Sequence, residues 1–256
     1  MIDPRAIIDK DARLASDVVV GPWSIIGPDV EIGAGTVIGP HVVIARSTRI
    51  GCNNRIYQFA TIGEDCQDKK YHGETTYLEI GDHNIIREGC TLHRGTVQDK
   101  SLTRIGNHNL LMAYVHIAHD CIVGDHTVFA NNATLGGHVQ VADWAILGGY
   151  TLVHQFCQIG GHAFCGTGSV VLKDIPAYVM VNGNSAKAHG INSDGLRRRN
   201  FSDEQINTIR RAYRILYREG HSAAEAIEQI AALVDESPVL LPLLESLRGS
   251  TRGIVR

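Results

Sequence analysis

An aliphatic side chain recurs at every sixth position over most of the chain. It stands at Ile2, Ile8, Leu14, Val20, Ile26, Ile32, Ile38, Ile44, Ile50, Ile56 and Ile62 without a miss. The register resumes at Ile80, Ile86 and Leu92, breaks again, and then runs from Ile105 in steps of six to Val171. Other positions of the hexad are restricted too. The second is often glycine, as at Gly21, Gly27, Gly33, Gly124, Gly136 and Gly148. The fifth is small or β-branched, as at Ser24, Thr36, Val42, Ala60, Thr127, Ala133 and Ala145. An amphipathic helix repeats every 3.6 residues and a lone strand every two. A period of six instead predicts a short strand followed by a tight corner. Three such units close a triangular coil of 18 residues, with the aliphatic side chains inside and glycine relieving crowding at the corner. Successive coils then stack as parallel strands about 4.8 Å apart. Twenty-six hexads give nearly nine coils. The predicted architecture is an all-β solenoid, a left-handed parallel β-helix of hexapeptide repeats.

Two segments break the register, and both read as loops extruded from the coil. One is polar, GEDCQDKKYHGETTY, between Ile62 and Ile80; the other is an insertion of seven around TVQDKSLT. Loops thrown out of a regular scaffold often carry function. Beyond Val171 the pattern changes, and residues 192–256 read as helices. SDEQ at 202–205 is a capping box before INTIRRAYRILYREG, which Gly220 stops, and SAAE at 222–225 is a second box before AIEQIAALVDE. A third short helix is expected from Val239 to Leu247. Tyr213, Leu216, Tyr217, Ile227, Ile230 and Leu233 are the expected core of this part. The expected division is a β-helix domain over 1–187 and a helical domain over 188–256.

Composition narrows the picture. Over 256 residues, 44% are hydrophobic, 20% are charged and the net charge is −3, so nothing asks for nucleic acid. No apolar run approaches a membrane span, and the aspartate-bearing N-terminus lacks the apolar core of a signal peptide. A cytoplasmic protein is expected. The six cysteines form no CxxC pair, and Cys90, Cys121 and Cys157 fall in the fifth slot, where they are expected to pack as small buried residues.

A regular coil lets spatial columns be read from the sequence. Residues 18 apart lie above one another, so His119, Gly137 and Gln155 share a column, as do Asp120, His138 and Phe156. With the seven-residue insertion removed, His93 lies under Ala118 and Arg94 under His119. His93, His119, His138 and His154 therefore collect on one edge, and the first loop leaves from beneath it. Corner residues of a solenoid face water, and His126, His162 and His189 need no further role than that. Imidazole serves either as an acid/base near neutral pH or as a metal ligand. His119 is followed by Asp120, and a carboxylate beside an imidazole fixes its tautomer. No serine or cysteine nucleophile is evident: GTGSV at 166–170 lies within the repeat, not on a strand-to-helix turn. Direct attack by a substrate hydroxyl deprotonated by histidine is preferred.

The segments IYQFATIGEDCQDKKYHGE, REGCTLHRGTVQ, HIAHDC, GGHVQVADWAILGG, VHQFCQIGGH, GINSDGLRRRNF and STRGIVR resemble the acyl carrier protein–UDP-N-acetylglucosamine O-acyltransferases over essentially the whole chain. That family performs the first step of lipid A synthesis. The resemblance implies a cytoplasmic homotrimer with active sites in clefts between subunits. It implies that His119, oriented by Asp120, takes the proton from the glucosamine 3-hydroxyl. The oxygen then attacks the thioester of an (R)-3-hydroxyacyl carrier protein while the Gly137 N–H holds the oxyanion. It further implies that Gln67, Asp68 and Lys70 hold the sugar nucleotide and that His116, His138, His154 and Gln155 line the cleft, with His93 beside them. Asn192, Arg198 and Arg199 match tail positions that contact the nucleotide or the acidic carrier; Asp194 stands where the family has glutamate. Thr167 matches the position that closes the acyl channel and measures its length. No resident cofactor is implied, since 4'-phosphopantetheine arrives on the carrier.

Three other readings compete with this one. A related N-acyltransferase carries an extra N-terminal domain, whereas this chain enters the repeat at Ile2. A zinc hydratase of the γ-carbonic anhydrase type shares the repeat and uses three histidines, but lacks the arginine-bearing tail and the QDKK loop. A non-enzymatic or ice-binding solenoid would need a flat face of repeated threonine, and threonine here keeps to the inward fifth slot.

Overall fold

The computed structural model describes all 256 residues. Strands of two to five residues, from Ile7–Ile8 to Lys187–Ile191, wind into three parallel faces of nine, eight and ten strands. Every third strand belongs to the same face, as a triangular left-handed coil requires. Ordinary coils pair residues 18 apart, as in Ile25↔Val43 and His116↔Thr134. Across the first extrusion Thr61 pairs with Thr91, and across the second Thr91 pairs with His116. Both loops thus leave the stack without shifting the register of the coils above. One strand departs from the pattern: Lys187–Ile191 runs antiparallel to Val179–Asn182 and ends the ten-stranded face.

The hexad positions behave as the sequence implied. First-slot aliphatics from Val20 onward are almost fully buried, and fifth-slot Ser24, Thr36, Val42, Ala60, Thr127, Ala133 and Ala145 are inaccessible. Cys90, Cys121 and Cys157 are buried free thiols among them. The second-slot glycines answer to crowding between coils. A Cβ on Gly27 would lie 2.2 Å from the Ala45 carbonyl oxygen of the coil above.

Two features were not visible in the aliphatic period. The fourth slot carries the left-handed backbone, and mostly not with glycine: His41, His83, His108, Asp120, His126, Asn132, His138, Trp144, Phe156 and His162 all have φ between 56° and 67°. Asn, Asp and His tolerate this region better than most residues. Rings in this slot stack from coil to coil. His83, His108 and His126 lie parallel at 4.8 Å spacing, and Trp144 covers His126 at 4.1 Å. Six of the thirteen histidines are corner residues of this kind. His162 is more than a solvated corner. Arg199 and Phe201 pack on it, and burial, then the Arg199 charge, push its pKa down to about 4.

The second feature is a column of inward amides. Asn54, Asn84 and Asn109 are buried in the fifth slot. Each donates its side-chain N–H to a carbonyl of the next coil, at Gly81, Gly106 and Gly124. Each side-chain oxygen accepts a backbone N–H from the residue above, Asn84, Asn109 and Thr127 in turn. The column is fully satisfied, as buried polar groups must be.

The tail forms helix α1 (Ser193–Arg198), α2 (Asp203–Tyr217), α3 (Ala223–Val234), a 3-10 turn at Pro238–Leu240 and α4 (Leu241–Arg248). Both capping boxes form, with Ser202 and Gln205, and Ser222 and Glu225, bonded reciprocally. Tyr213, Leu216 and Ile230 are buried, while Tyr217, Ile227 and Leu233 are half-buried against the same core. No helix is long and apolar enough to cross a membrane.

Candidate active site

Gly63, at φ +73°, is where the chain leaves the coil; a Cβ there would lie 1.9 Å from the Thr48 hydroxyl, and the strand register slips at this point. The first extruded loop then folds back against the corner and is held there by Arg94. Its backbone lies under His119, as the column count placed it, but its side chain is 1% exposed. The guanidinium donates to the Gly63 carbonyl, to the Asp65 carboxylate and, at 3.0 Å, to the Tyr71 hydroxyl. His93 is also buried, with Nδ1 2.6 Å from the Asp65 carbonyl oxygen.

This loop roofs a cavity of about 270 Å³ lined by Gln67, Asp68, His93, His116, Ala118, His119 and Gln155. A second cavity of about 450 Å³ shares His119, Asp68 and Gln155 and adds Lys70, Thr96, Asp99 and His138. The expectation that corner residues face water fails here. The His119 side chain is 13% exposed and that of Asp120 1%, because both extruded segments cover this corner.

His119 Nδ1 lies 2.9 Å from Asp120 Oδ2. An ionised carboxylate only accepts, so Nδ1 carries the proton and the Nε2 lone pair is free. Burial disfavours the Asp120 charge, but hydrogen bonds from His119 and Thr96 outweigh it and hold the carboxyl below its ordinary range. Gly137 stands against the imidazole: a Cβ would lie 2.6 Å from Nε2. His138 meets His119 edge-on at 5.0 Å and stacks on Phe156 at 4.4 Å. His116 Nδ1 is 2.8 Å from the Thr91 hydroxyl, and burial, then the charges of His93 and His119, push its pKa down to about 4.

Other expected residues lie elsewhere. His154 is exposed on the same corner, its Nδ1 3.0 Å from the Gln155 carbonyl oxygen, and lines neither cavity. Thr167 is exposed on a different corner. The tail set lies against the corner that carries His162. Asn192 is buried, caps α1 through Gly195 N and donates to the His162 carbonyl. Arg199 bonds the His162 ring and the Trp144 carbonyl and covers the Trp144 face. Asp194 is exposed and pairs with Arg197 at 3.1 Å, while Arg198 is exposed. Within one chain the tail set and the His119 set therefore do not meet. Sequence reasoning missed Thr96 and Asp99 of the second extrusion. The only available signal was their place directly after the register break.

His119, Asp120 and His138 bring ligand-type atoms within 4.8 Å of one another. The pair His119–Asp120 is already closed by a hydrogen bond, and a free imidazole lone pair at the cavity suits proton removal from a hydroxyl.

A three-faced hexapeptide coil with such a pair on its edge defines the class of hexapeptide-repeat acyltransferases. Residues 11–46 and 102–137 match the bacterial transferase hexapeptide model, and residues 174–255 match the second domain of UDP-N-acetylglucosamine O-acyltransferase. The chain belongs to the acyl-[acyl-carrier-protein]–UDP-N-acetylglucosamine O-acyltransferase family. The Pseudomonas aeruginosa (strain PAO1) protein of that name is 59% identical over 256 residues, covering 100% of this chain and 99% of the relative. The Ectopseudomonas mendocina relative is 60% identical over 255 residues, covering 100% of this chain and 99% of its own. Among solved structures, LpxA from Acinetobacter baumannii is 54% identical with a TM-score of 0.98, covering 100% of this chain and 99% of that one. The Arabidopsis UDP-N-acetylglucosamine acyltransferase is 38% identical with a TM-score of 0.85 and full coverage of both chains.

Proposed function

We propose that this chain transfers an (R)-3-hydroxyacyl group from acyl carrier protein to the 3-hydroxyl of UDP-N-acetylglucosamine, the first step of lipid A synthesis. The full-length match to acyltransferases named for that donor and acceptor supports the substrates. The observation that carries the chemistry is the His119–Asp120 pair with its Nε2 lone pair open to the roofed cavity. His119 Nε2 takes the hydroxyl proton, and the oxygen attacks the thioester carbonyl. The negative charge on the tetrahedral oxygen falls beside the Gly137 N–H, which donates to it. Collapse breaks the carbon–sulfur bond, and the imidazolium returns its proton to the leaving phosphopantetheine thiolate. No resident metal or cofactor is needed in this scheme.

Gln67, Asp68 and Lys70 would hold the sugar nucleotide, with His93, His116, His138 and Gln155 lining the cleft and His154 at its margin. Asn192, Asp194, Arg198 and Arg199, in the helical part that begins after the strand Lys187–Ile191 and not at residue 188, lie on a different corner. A cytoplasmic homotrimer, with the tail of one subunit facing the His119 corner of the next, would bring the two sets together. The test is acyl transfer by purified protein with carrier-bound 3-hydroxyacyl chains of graded length. His119→Ala should lower the rate by about 10²–10⁴-fold with the fold intact. Activity within a few-fold of the unmodified protein would refute the assignment.

A further inference from the structure

Thr96 is a loop residue with the burial of a core residue. It is 1% exposed, while Val97, Gln98, Asp99 and Lys100 after it are exposed. Both of its donors go to one carboxylate. Its backbone N–H meets Asp120 Oδ1 at 2.9 Å, and its hydroxyl meets Asp120 Oδ2 at 2.6 Å. Asp120 Oδ2 also accepts from His119 Nδ1, so the hydroxyl and the imidazole share one oxygen. The approach is close. At Gly95, just before Thr96, a Cβ would lie 2.8 Å from Asp120 Oδ1 and 2.2 Å from Leu102 N. From the other side the Asp120 N–H donates to the buried Thr103 hydroxyl at 2.8 Å, and the Asp120 backbone is left-handed at φ 59°. An ordinary hexad has no residue in the place Thr96 occupies; the seven-residue extrusion supplies it.

We infer that Thr96 is a positioning residue for the acyl transfer, acting through Asp120, and that the second extrusion exists to bring its two donors to that carboxylate. This rests on the proposed role of His119 as base. A buried carboxylate with one partner can rotate about its terminal torsion, and the imidazole it orients turns with it. The backbone N–H and the hydroxyl of Thr96, one on each carboxylate oxygen, remove that freedom. The hydroxyl also shares the negative charge of Oδ2, which sets how strongly that oxygen holds the His119 Nδ1 proton. Charge-assisted hydrogen bonds of this length are the strong ones, and orientation errors of about 1 Å can cost about 10²-fold in rate.

Thr96→Val removes the hydroxyl and keeps the branched shape and the backbone donor. The expected result is a kcat about tenfold lower, with KM for the nucleotide sugar within about twofold, because Thr96 would act on the base and not on binding. Thr96→Ser should restore the rate, since it returns the donor without the methyl. A second measurement needs no substrate. The Asp120 carboxyl titration, followed by carbon NMR, should move up by about one pH unit in the valine variant and return in the serine variant. A residue that merely packs the loop would lower thermal stability without moving that titration or splitting kcat from KM. An unchanged Asp120 titration, an unchanged kcat, or failure of serine to rescue would overturn the inference. Should valine prevent folding, Thr96→Ala carries the same readouts. Should the unmodified protein fail to acylate the nucleotide sugar, the functional reading falls, and the titration alone decides the role of Thr96.

Discussion

A methyl group at Gly137 would occupy space that the His119 ring needs. The Cβ of alanine would lie 2.5 Å from His119 Cε1 and 2.6 Å from Nε2. Ordinary contact between heavy atoms is about 3.5–4.0 Å, so the ring must retreat by about 1 Å. Its Nδ1 is held 2.9 Å from Asp120 Oδ2, and Asp120 is pinned by Thr96 and Thr103. The imidazole can therefore yield only by losing that hydrogen bond or by turning Nε2 away from the cavity. A misplacement of about 1 Å costs about 10²-fold, and Gly137→Ala should lower kcat by that order. Stability should fall by no more than the cost of that one bond to a buried carboxylate, about 1–3 kcal/mol. Gly137 does not have a positive φ, and alanine in an unstrained backbone is neutral or stabilising by about 0.4–1 kcal/mol. Gly149→Ala is the control. It occupies the same slot on another corner, and its Cβ would meet only the Asn131 carbonyl oxygen at 3.4 Å. The assay is initial-rate acyl transfer together with a melting curve for each variant. A folded Gly137→Ala protein with activity within about threefold of the parent would refute the coupling between this glycine and the base.

The other predictions concern chain length and pH. Thr167→Gly should shift donor preference toward longer acyl chains by about one to two orders of magnitude, at roughly 0.8 kcal/mol per accommodated CH₂; an unchanged donor profile would remove Thr167 from the acyl channel. His116 and His162, both held at about 4 in the fold against 6.5 unperturbed, stay neutral where the unfolded chain would bind protons. Their contribution to stability is complete above pH 6.5 and is lost as pH falls from there toward 4. Melting temperature should drop across that window, and His116→Gln should flatten part of the drop; a flat profile in the parent would contradict the burial of these rings.

The coil was legible in the sequence because its period is enforced at every turn. Each first-slot side chain fills the same triangular interior, so one residue type recurs. The His119, Gly137 and Gln155 column followed by arithmetic, since register is conserved across both extrusions. What escaped arithmetic were contacts made by irregular backbone. Nothing in LHRG says that Arg94 turns inward to hold a loop, or that Thr96 and Asp99 return to the corner; Asp99 Oδ2 ends 2.9 Å from His138 Nδ1. The histidine cluster has a second cause besides chemistry. Position 138 accepts histidine partly because the corner is left-handed there, as it is at His108 and His126. His154 shares the corner without sharing the cavity.

The column of asparagines bears on how the chain finds its own alignment. A coil specified only by a six-residue period is degenerate: sliding one turn by a whole hexad returns aliphatics to aliphatic sites at little cost. The ambiguity is worst beside the extrusions, where the number of residues per turn is itself variable. Asn54, Asn84, Asn109 and Thr127 are separated by 30, 25 and 18 residues, so the amide column spans the two unequal turns and the first regular one after them. The partners are main-chain groups that every turn offers, so a slipped turn loses the fit and not the bonds: Asn54 would lie against Leu78 or Cys90 in place of Asn84. The column thus favours one threading of the chain by the shapes of its fifth-slot side chains, and the catalytic corner inherits its alignment from it.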